Sequence, residues 1–406
     1  MDFNHSERSQ QLQAQVSTFL AECVYPAERE FARQDEANRI AGSPFQTPEV
    51  IQRLKDEARR RGLWNLFLPG DEHGAGLSVL DYAPIAELSG RSLRIAPEAM
   101  NCAAPDTGNM ELLAMFGTEE QKAQWLQPLL DGAIRSCFSM TEPAVASSDA
   151  TNIATTVTAD GDALVVNGRK WWSSGALRPE CKVAIVMAVS DPDADRHARH
   201  SMVLVPLDSP GVTVERSTSV FGYDDGTHGG HGIISYEQVR VPASNLLGAR
   251  GGGFAMAQAR LGPGRIHHCM RSIGVAERAL ELMIQRVSQR SAFGGPLARQ
   301  GVIREWIAES RLALEQARLL VLKTAWLIDN VGVKNAATEI AAIKVAAPRA
   351  ASYVLDRAIQ AFGAAGVSQE TPLAEMWAGL RTMHIVDGPD EVHLRSVARQ
   401  ELAKLL

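Results

Sequence analysis

Several features that would place a chain in a specialised class are missing from this sequence. Its 406 residues include only five scattered cysteines with no CxxC pair, so neither a disulfide framework nor a zinc ribbon is predicted. No apolar run reaches the roughly 18 residues of a membrane-spanning helix, and the start, MDFNHSERSQQ, is too polar for a signal peptide. The net charge of −6 argues against nucleic acid as a partner. We therefore expect a reducing, cytoplasmic location.

The pattern of apolar, polar and turn-forming residues changes twice along the chain. Up to about residue 135, apolar residues recur at helical spacing, as at Leu12, Val16 and Phe19. From about 136 to 245, short β-rich runs alternate with turn residues, as in ATTVTADGDALVVNGRKWW. Long helical patterns then return and are typical of a packed bundle. The sequence predicts an α+β chain with a helical domain over 1–135, a central antiparallel β-domain over 136–250 and a helical bundle over 251–406.

Local signals predict where several helices begin, bend and end. Thr118 and Gln121 match a capping box. Pro348 is expected to kink the helix predicted over about 336–362. The last helix before the C-terminal segment is expected to begin near Thr371 and to end at Asp387.

The acid Asp387 stands at a break between two apolar helical patterns, because Gly388 and Pro389 follow it. One interpretation is structural, with Gly388 as a cap and Pro389 at the first helical position. The other is chemical, because an acid at a helix break lies beside unpaired backbone N–H groups. Its carboxylate can take a proton next to a carbonyl while an N–H stabilises the forming enolate oxygen. The local pattern leaves both interpretations open.

Three other stretches also have a structural and a functional interpretation. CFSMTEPAVASSDATN, residues 137–152, is either a polar connection or a surface that hydrogen-bonds a planar, polar cofactor. NGRKWWSSGA, residues 167–176, places two tryptophans on a strand, where they are predicted to face opposite sides. Both are core residues, or one of them covers a ligand ring. RSAFGGP, residues 290–296, is either a charged helix end or an arginine clamp for a pyrophosphate.

The histidine pairs and glycine runs do not predict a metal or nicotinamide site. His267 and His268 are adjacent on a predicted helix and cannot face the same way, His228 and His231 stand in THGGH, and no helical HExxH occurs. GARGGGF and QAFGAAG do not follow a strand within a βαβ unit, so neither is a Rossmann fingerprint. We predict no metal ion and no dinucleotide-binding domain of that type.

The order of the motifs along the chain resembles that of the acyl-CoA dehydrogenase family. A helical domain, a TEP loop, an NGxKxW strand, RxxFG at a helix end, QxxGxxG and an acid before glycine follow one another over nearly the whole chain. WWSSGA, GPGRIHH, IKVAAPRA and DGPDEVH are most similar to the subgroup whose animal members are fused to a kinase-like domain, of which this chain has only the dehydrogenase part. The resemblance implies an N-terminal helical domain, a central β-domain and a C-terminal four-helix bundle, usually assembled as a homotetramer.

The resemblance also implies FAD as the cofactor, held in part by the neighbouring subunit. Matched motif by motif, one set of residues would contact the flavin: Phe138, Met140, Thr141, Trp172 and Ser174. A second set would contact the pyrophosphate and adenine end: Arg290, Phe293, Gln360 and Gly363. Ser148 matches, within one position, the serine that contacts the CoA arm.

Asp387 falls where the family carries its catalytic glutamate before a glycine. The family reaction removes the α-proton of an acyl-CoA thioester as hydride leaves the β-carbon for the flavin, giving a 2,3-enoyl-CoA. Arg265 and Gly388 are expected beside the substrate. Some members keep the base just before the arginine that matches Arg265. That position is Gly264 here, so no second carboxylate competes with Asp387.

The replacement of Glu by Asp shortens the base by one methylene, about 1.5 Å, and favours an unusual acyl chain. The resemblance to the subgroup implies that this acyl chain carries an oxygen substituent, as in a 4-hydroxyacyl-CoA. His267, His268 and Arg265 are candidate polar groups for that substituent, or else hydrogen-bonding groups of the core. The leading prediction is an FAD-dependent acyl-CoA dehydrogenase of fatty-acid β-oxidation, with an electron-transferring flavoprotein as acceptor. The alternatives are a redox-neutral lyase or isomerase acting on a 4-phosphoacyl-CoA, and a non-catalytic acyl-CoA-binding or assembly protein.

Overall fold

The computed structural model describes residues 3–70 and 72–405, with only the backbone described for Leu261 and Pro263. The chain divides into two compact units. The bundle unit comprises Met1–Tyr25, Gly76–Pro97 and Gly262–Leu406, and the sheet unit comprises Pro26–Ala75 and Glu98–Leu261. Within the described ranges, every helix is too short or too polar to cross a membrane.

Long helices with apolar stripes form the bundle unit. Ile266, Ile273 and Leu280 recur at helical spacing on one helix, and all three are buried in the core. The helices of this unit run over Glu7–Phe19, Val79–Gly90, Gly253–Gln289 (from Gly262 on), Gly301–Asn335, Ala337–Phe362, Leu373–Thr382 and Asp390–Ala403. A short hairpin, Ser291–Ala292 with Gly295–Pro296, connects the two longest helices.

One helix prediction in the bundle unit needs correction. The helix Ala337–Phe362 contains Pro348 as predicted, and the non-helical residue Gly332, with a φ of 81°, lies in the preceding helix Gly301–Asn335. The helix predicted to end at Asp387 already ends at Thr382. Lys344 Nζ donates to the Met383 carbonyl oxygen at 2.6 Å, so the chain beyond Thr382 is bound by a side chain from another helix. The apolar run before Asp387 therefore forms turns, which its helical periodicity does not reveal.

The sheet unit combines helices with one mixed sheet. Its helices include Glu49–Arg60, Asp106–Phe116 and the short segment Glu119–Gln121. The capping box predicted at this last segment is confirmed, because Gln121 N donates to Thr118 Oγ1 at 3.2 Å and Thr118 N donates to Gln121 Oε1 at 3.1 Å. Two of the four N–H groups left open at the start of a helix are thereby paired.

The strands of the sheet are β1 (Arg135–Ser139), β2 (Thr156–Asp160), β3 (Ala163–Ser174), β4 (Cys181–Val189), β5 (His200–Pro206), β6 (Val212–Thr218), β7 (His231–Pro242) and β8 (Leu246–Leu247). Their order is β6-β7-β3-β2-β4-β5-β8, with β1 on β4. The pairs are antiparallel except β1 with β4 and a single residue pair of β2 with β4, which are parallel. The expectation of an antiparallel domain therefore fails at β1, whose partner is distant in sequence.

The double tryptophan of β3 interrupts the regular alternation of side chains. The register between β3 and β7 shifts between Lys170 and Ser173, and Trp172 has a φ of 54°. A shift of this kind breaks the two-residue period on which the prediction of opposite faces rested. Trp172 is 37% exposed, so its ring is not enclosed in the core.

Candidate active site

In the bundle unit, Asp387 lies in the joint between the helices Leu373–Thr382 and Asp390–Ala403. Its φ is 54° and that of Gly388 is 103°, so two successive residues are in the left-handed half of the backbone map. Asp tolerates this conformation better than most residues, and glycine adopts it freely. The Asp387 side chain is 19% exposed. The joint thus presents a carboxylate that is partly shielded from water.

The backbone carbonyl of Asp387 is held by two side chains. Arg265 Nη2 and His393 Nε2 each donate to this oxygen, at 3.1 Å in both cases. Arg265 is on the helix Gly253–Gln289, and His393 is in the first turn of Asp390–Ala403. The base predicted from the sequence is therefore fixed from two sides through its own main chain.

The Asp387 carboxylate has cationic and potentially cationic neighbours. His268 Nε2 lies 3.7 Å from Asp387 Oδ2. Arg265 is one helical turn before His268, so both side chains reach the same joint. Burial lowers the pKa of the Arg265 guanidinium, and the Asp387 carboxylate opposes that shift. Burial also lowers the pKa of Lys344, whose ammonium is bound to the same joint at Met383. Three basic side chains, Arg265, His268 and Lys344, therefore reach the joint that carries Asp387.

The residues on either side of Asp387 are also held by hydrogen bonds. His384 Nδ1 lies 2.9 Å from Asp390 Oδ2, and His384 Nε2 lies 3.0 Å from Ser352 Oγ. Asp390 N donates to the His384 carbonyl oxygen at 3.1 Å, which closes the loop around Asp387. A loop fixed at this many points holds its acid in one position, which catalysis by a short side chain requires.

His267 does not join this group. Its ring is buried and packs edge-on against Tyr82, with centroids 4.8 Å apart. Burial holds the pKa of the His267 imidazole well below its usual range, so the ring is neutral in the core. Of the polar candidates Arg265, His267 and His268, the structure brings only the first and the last to Asp387. A Cβ added at Gly264 would meet no atom within 4 Å, so this position has space but no carboxylate.

In the sheet unit, the segment that contains Met140 and Thr141 is anchored by a buried lysine. Lys170 Nζ donates to the Met140 carbonyl at 2.9 Å, to the Met187 carbonyl at 2.7 Å and to Glu142 Oε1 at 2.8 Å. Trp171 N donates to the Thr141 carbonyl at 3.0 Å. Lys170 is fully buried, and burial lowers its pKa to about 8 against the opposing effect of Glu142. Sequence reasoning quoted this lysine only as part of a motif and gave it no role.

Ser174 and Trp172 share a neighbour that sequence reasoning weighed only as a metal ligand. His231 Nδ1 lies 2.9 Å from Ser174 Oγ, and the His231 ring centroid lies 5.2 Å from that of Trp172. Burial lowers the pKa of His231, which favours the neutral ring. His228, the other histidine of THGGH, pairs with Asp225 at 2.8 Å. The cross-strand pairing of Ser174 with His231 could have been found only by knowing the register of β3 and β7.

The surroundings of Trp172 fit a planar, polar group such as a flavin. Trp171 Nε1 is buried and has no hydrogen-bond partner among the described residues. The exposed ring of Trp172 offers a flat apolar surface beside it. Phe138, the first residue of the predicted flavin set, lies under the Arg260 guanidinium, 4.3 Å from CZ to the ring centroid. A polar ring would gain both a stacking surface and a donor here.

The remaining predicted residues lie on exposed positions. In the bundle unit, Arg290 ends a helix, and Phe293 is 96% exposed at the tip of the hairpin that follows. Gln360 is exposed near the end of the helix Ala337–Phe362, and Gly363 ends that helix with a φ of 65°. In the sheet unit, Ser148 is exposed in a loop whose neighbour Ser147 accepts from Glu142 N at 2.9 Å.

The sequence matches three domain families that together span most of the chain. Residues 6–133 match the acyl-CoA dehydrogenase N-terminal domain, residues 137–232 the middle domain and residues 251–402 the C-terminal domain. Probable acyl-CoA dehydrogenase FadE2 of Mycobacterium tuberculosis (strain ATCC 25618 / H37Rv) is 59% identical over 405 residues, which cover 100% of this chain and 98% of FadE2.

Animal relatives are longer than this chain. Acyl-CoA dehydrogenase family member 11 of Gallus gallus is 54% identical over 401 residues, which cover 98% of this chain but only 51% of that protein. The chain therefore spans about half the length of this relative. A solved structure from Mycobacterium abscessus is 51% identical, with a TM-score of 0.96 over 99% of this chain and 100% of that chain.

Proposed function

The chain belongs to the acyl-CoA dehydrogenase family, and we propose that it oxidises an acyl-CoA thioester with Asp387 as the catalytic base. The observation that carries the proposal is the carboxylate of Asp387, partly shielded in a joint that side chains from three helices hold in place. General bases act from fixed positions within hydrogen-bond reach of the proton they remove. The substrate is a thioester in this proposal because the thioester carbonyl makes the protons on the neighbouring α-carbon more acidic.

Each neighbouring group has a distinct task in this reaction. Asp387 takes the α-proton, and backbone N–H groups of its joint stabilise the negative charge that develops on the thioester oxygen. Arg265 and His393 hold the main chain of the base, and Gly388 allows the chain to turn beside the substrate. Bound FAD supplies the acceptor for the hydride that leaves the β-carbon, so that the product is a 2,3-enoyl-CoA.

The residues for FAD are those that the family motifs indicate. Phe138, Met140, Thr141, Trp172 and Ser174 are proposed to contact the flavin, and the stacking surface of Trp172 and the open donor of Trp171 support this. Arg290, Phe293, Gln360 and Gly363 are proposed to contact the pyrophosphate and adenine end of FAD bound mainly by a neighbouring subunit. Phe293 supports this assignment, because its near-complete exposure suits a residue that reaches a second copy of the chain in a homotetramer.

Finer points of the proposal rest on the family resemblance. They are three domains at 1–135, 136–250 and 251–406, a role in fatty-acid β-oxidation in the cytoplasm, an electron-transferring flavoprotein as acceptor, and contact of Ser148 with the CoA arm. The substrate is proposed to carry an oxygen substituent such as a 4-hydroxyl. His268 and Arg265 support this choice, because both are polar and lie beside the base.

A redox-neutral lyase acting on a 4-phosphoacyl-CoA is the second candidate. The basic groups around the joint favour it, because Arg265, His268 and Lys344 would suit an anionic substituent better than a plain acyl chain. In this reaction Asp387 would still remove the α-proton, but the flavin would end unchanged.

The test is an anaerobic titration of the purified, FAD-loaded protein with a panel of acyl-CoAs, including plain, 4-hydroxy and 4-phospho forms. Bleaching of the oxidised flavin band by one of them supports the dehydrogenase and identifies its substrate. A band that stays oxidised while the 4-phospho compound is consumed supports the lyase. Failure to retain FAD, or no reaction with any acyl-CoA, would support a non-catalytic binding or assembly protein and contradict the proposal. Equal rates with plain and 4-hydroxy chains would contradict the assigned substituent.

A further inference from the structure

The peptide unit between Asp387 and Gly388 is fixed by hydrogen bonds at its oxygen. A carbonyl oxygen has two lone pairs, and here Arg265 Nη2 and His393 Nε2 each occupy one at 3.1 Å. Because the atoms of a peptide unit are coplanar, hydrogen bonds to its oxygen also restrain the plane that contains the α-carbon of Asp387. The position of the α-carbon from which the Asp387 side chain projects is therefore restrained as well.

His393 is suited to this contact by its burial and its protonation state. Only 5% of the His393 residue is exposed, and it lies in the first turn of the helix Asp390–Ala403, which follows Asp387 in the chain. Burial, with Arg265 and Lys344 nearby, lowers its pKa to about 4, so the ring is neutral at physiological pH. A carbonyl oxygen can only accept, so the single ring proton must be on Nε2. The ring can therefore donate to one acceptor without adding a charge beside the base.

Gly388 shows how closely this ring approaches the joint. A Cβ added to Gly388 would lie 2.9 Å from His393 Nε2, a separation that real side chains do not reach. Its φ of 103° also excludes most other residues. Gly388 is thus needed for two reasons. It allows the chain to turn after Asp387, and it leaves room for the His393 ring that binds the Asp387 carbonyl.

We propose that His393 is a positioning residue for Asp387, and that its bond to the Asp387 carbonyl compensates for the short side chain of this base. The inference rests on the proposed role of Asp387 as the base. A misplacement of about 1 Å in a reacting group can cost roughly a hundredfold in rate. An aspartate that must reach the α-carbon without the extra methylene of a glutamate therefore depends on its backbone being held.

Two substitutions separate the donor from the bulk of the ring. His393→Phe keeps the ring and removes the donor, whereas His393→Gln places an amide N–H near the position of Nε2. Glu391→Gln is the matched control, because it changes an exposed acid in the same first turn of the helix Asp390–Ala403 without touching the Asp387 peptide. Each FAD-loaded variant is compared for its limiting rate of flavin reduction, its half-saturating acyl-CoA concentration, its FAD dissociation constant and its melting temperature.

We expect His393→Phe to lower the limiting rate roughly 10- to 100-fold, with little change in half-saturation or FAD binding. His393→Gln is expected to restore most of the rate, and Glu391→Gln to leave it close to wild type. Wild-type rates in both His393 variants would overturn the proposal. A Glu391→Gln variant as slow as His393→Phe would also overturn it, because a general disturbance of this helix turn would then explain the loss.

A double-mutant cycle tests whether His393 acts through the base. In the Asp387→Glu background the longer side chain has other ways to reach the α-carbon, so His393→Phe is expected to cost several-fold less than in wild type. Equal costs in the two backgrounds would contradict a role through Asp387, because independent structural effects add.

Exchange of the substrate α-proton with solvent deuterium measures proton removal by the base separately from the overall oxidation. The positioning role of His393 can therefore be tested even if the proposed dehydrogenase reaction is wrong. Exchange needs the base but no net electron transfer. If no acyl-CoA reduces the flavin but exchange occurs and falls in His393→Phe, the dehydrogenase assignment fails while the positioning role of His393 stands. If exchange is absent in the wild type with every acyl-CoA, the base assignment and the positioning role are both overturned.

Discussion

His231 Nδ1 lies 2.9 Å from Ser174 Oγ across the pairing of β3 with β7. The same imidazole faces the exposed indole of Trp172. One histidine thus contacts both residues that the family motifs assign to the flavin in this strand. A hydroxyl that is hydrogen-bonded to a partly buried, neutral ring has a defined orientation, which is useful where a single hydrogen bond must meet a ligand atom.

Loss of the His231 nitrogen is expected to weaken flavin binding. His231→Phe keeps a ring beside Trp172 but leaves the Ser174 hydroxyl without its partner. One hydrogen bond contributes about 0.5–1.5 kcal/mol, so the FAD dissociation constant is expected to rise roughly two- to tenfold. Fluorescence titration of the apoprotein with FAD measures the change. His228→Gln is the control, because His228 pairs with Asp225 instead, and an equal effect of both substitutions would argue against the role of Ser174.

A buried acid in the sheet unit is expected to be important for stability. Glu98 accepts from Arg135 Nη2 at 2.7 Å and from Arg178 Nη1 at 3.1 Å, and Lys55 Nζ lies 2.6 Å away. Burial by itself would raise the pKa of Glu98, but these three cations more than offset it and hold the pKa well below its usual range. Breaking such a buried network at one partner typically costs about 3–5 kcal/mol.

Glu98→Gln should therefore lower the free energy of unfolding by about this amount, as measured by urea denaturation at neutral pH. Asp160→Asn removes an exposed carboxylate that pairs with Arg240 and should change stability little. A Glu98→Gln variant as stable as the wild type would show that the cations find other partners.

The buried histidines predict a loss of stability in mild acid. The pKa of His393 is about 4, below the usual value of 6.5, because burial and the nearby cations disfavour the charged ring. Between pH 6.5 and 4 the unfolded chain therefore binds more protons than the folded chain, and stability falls as pH falls. The contribution of His393 is complete above pH 6.5, and that of His267, whose pKa is also lowered, follows the same sign.

Urea midpoints at pH 7.5 and pH 5 measure this effect. The midpoint of the wild type is expected to be lower at pH 5, and the difference should shrink in His393→Gln, which has no ring to protonate. An unchanged difference in that variant would show that His393 titrates alike in both states.

The sequence predicted most elements of the fold but few of the contacts that make the site. Helical spacing at Ile266 and Ile273, the turn between β2 and β3 and the capping box at Thr118 are local patterns, and local patterns are readable. The early helix end at Thr382 was missed because the apolar pattern continues past it into turns. The parallel pairing of β1 with β4 was missed because the two strands are distant in the chain.

The site itself shows the same division. Asp387 was predicted as the base from the order of the family motifs, because an acid before glycine at a helix break is visible in sequence. His393 and His231 were not given their roles, because each acts through a hydrogen bond to a residue on another segment or strand. No spacing rule predicts that His393 binds the Asp387 carbonyl, since this depends on positive φ values at Asp387 and Gly388.

The most direct test of Asp387 as the base is anaerobic mixing of the FAD-loaded Asp387→Asn variant with the acyl-CoA that reduces the wild type fastest. An amide has nearly the same size as the carboxylate but cannot accept the α-proton. The variant is expected to bind FAD like the wild type and to slow flavin reduction by roughly 10²- to 10⁴-fold. Glu391→Gln, which changes an exposed acid in the first turn of the following helix, should reduce the flavin normally. Flavin reduction by Asp387→Asn at a rate close to that of the wild type would contradict the account, because another group would then have to take the proton.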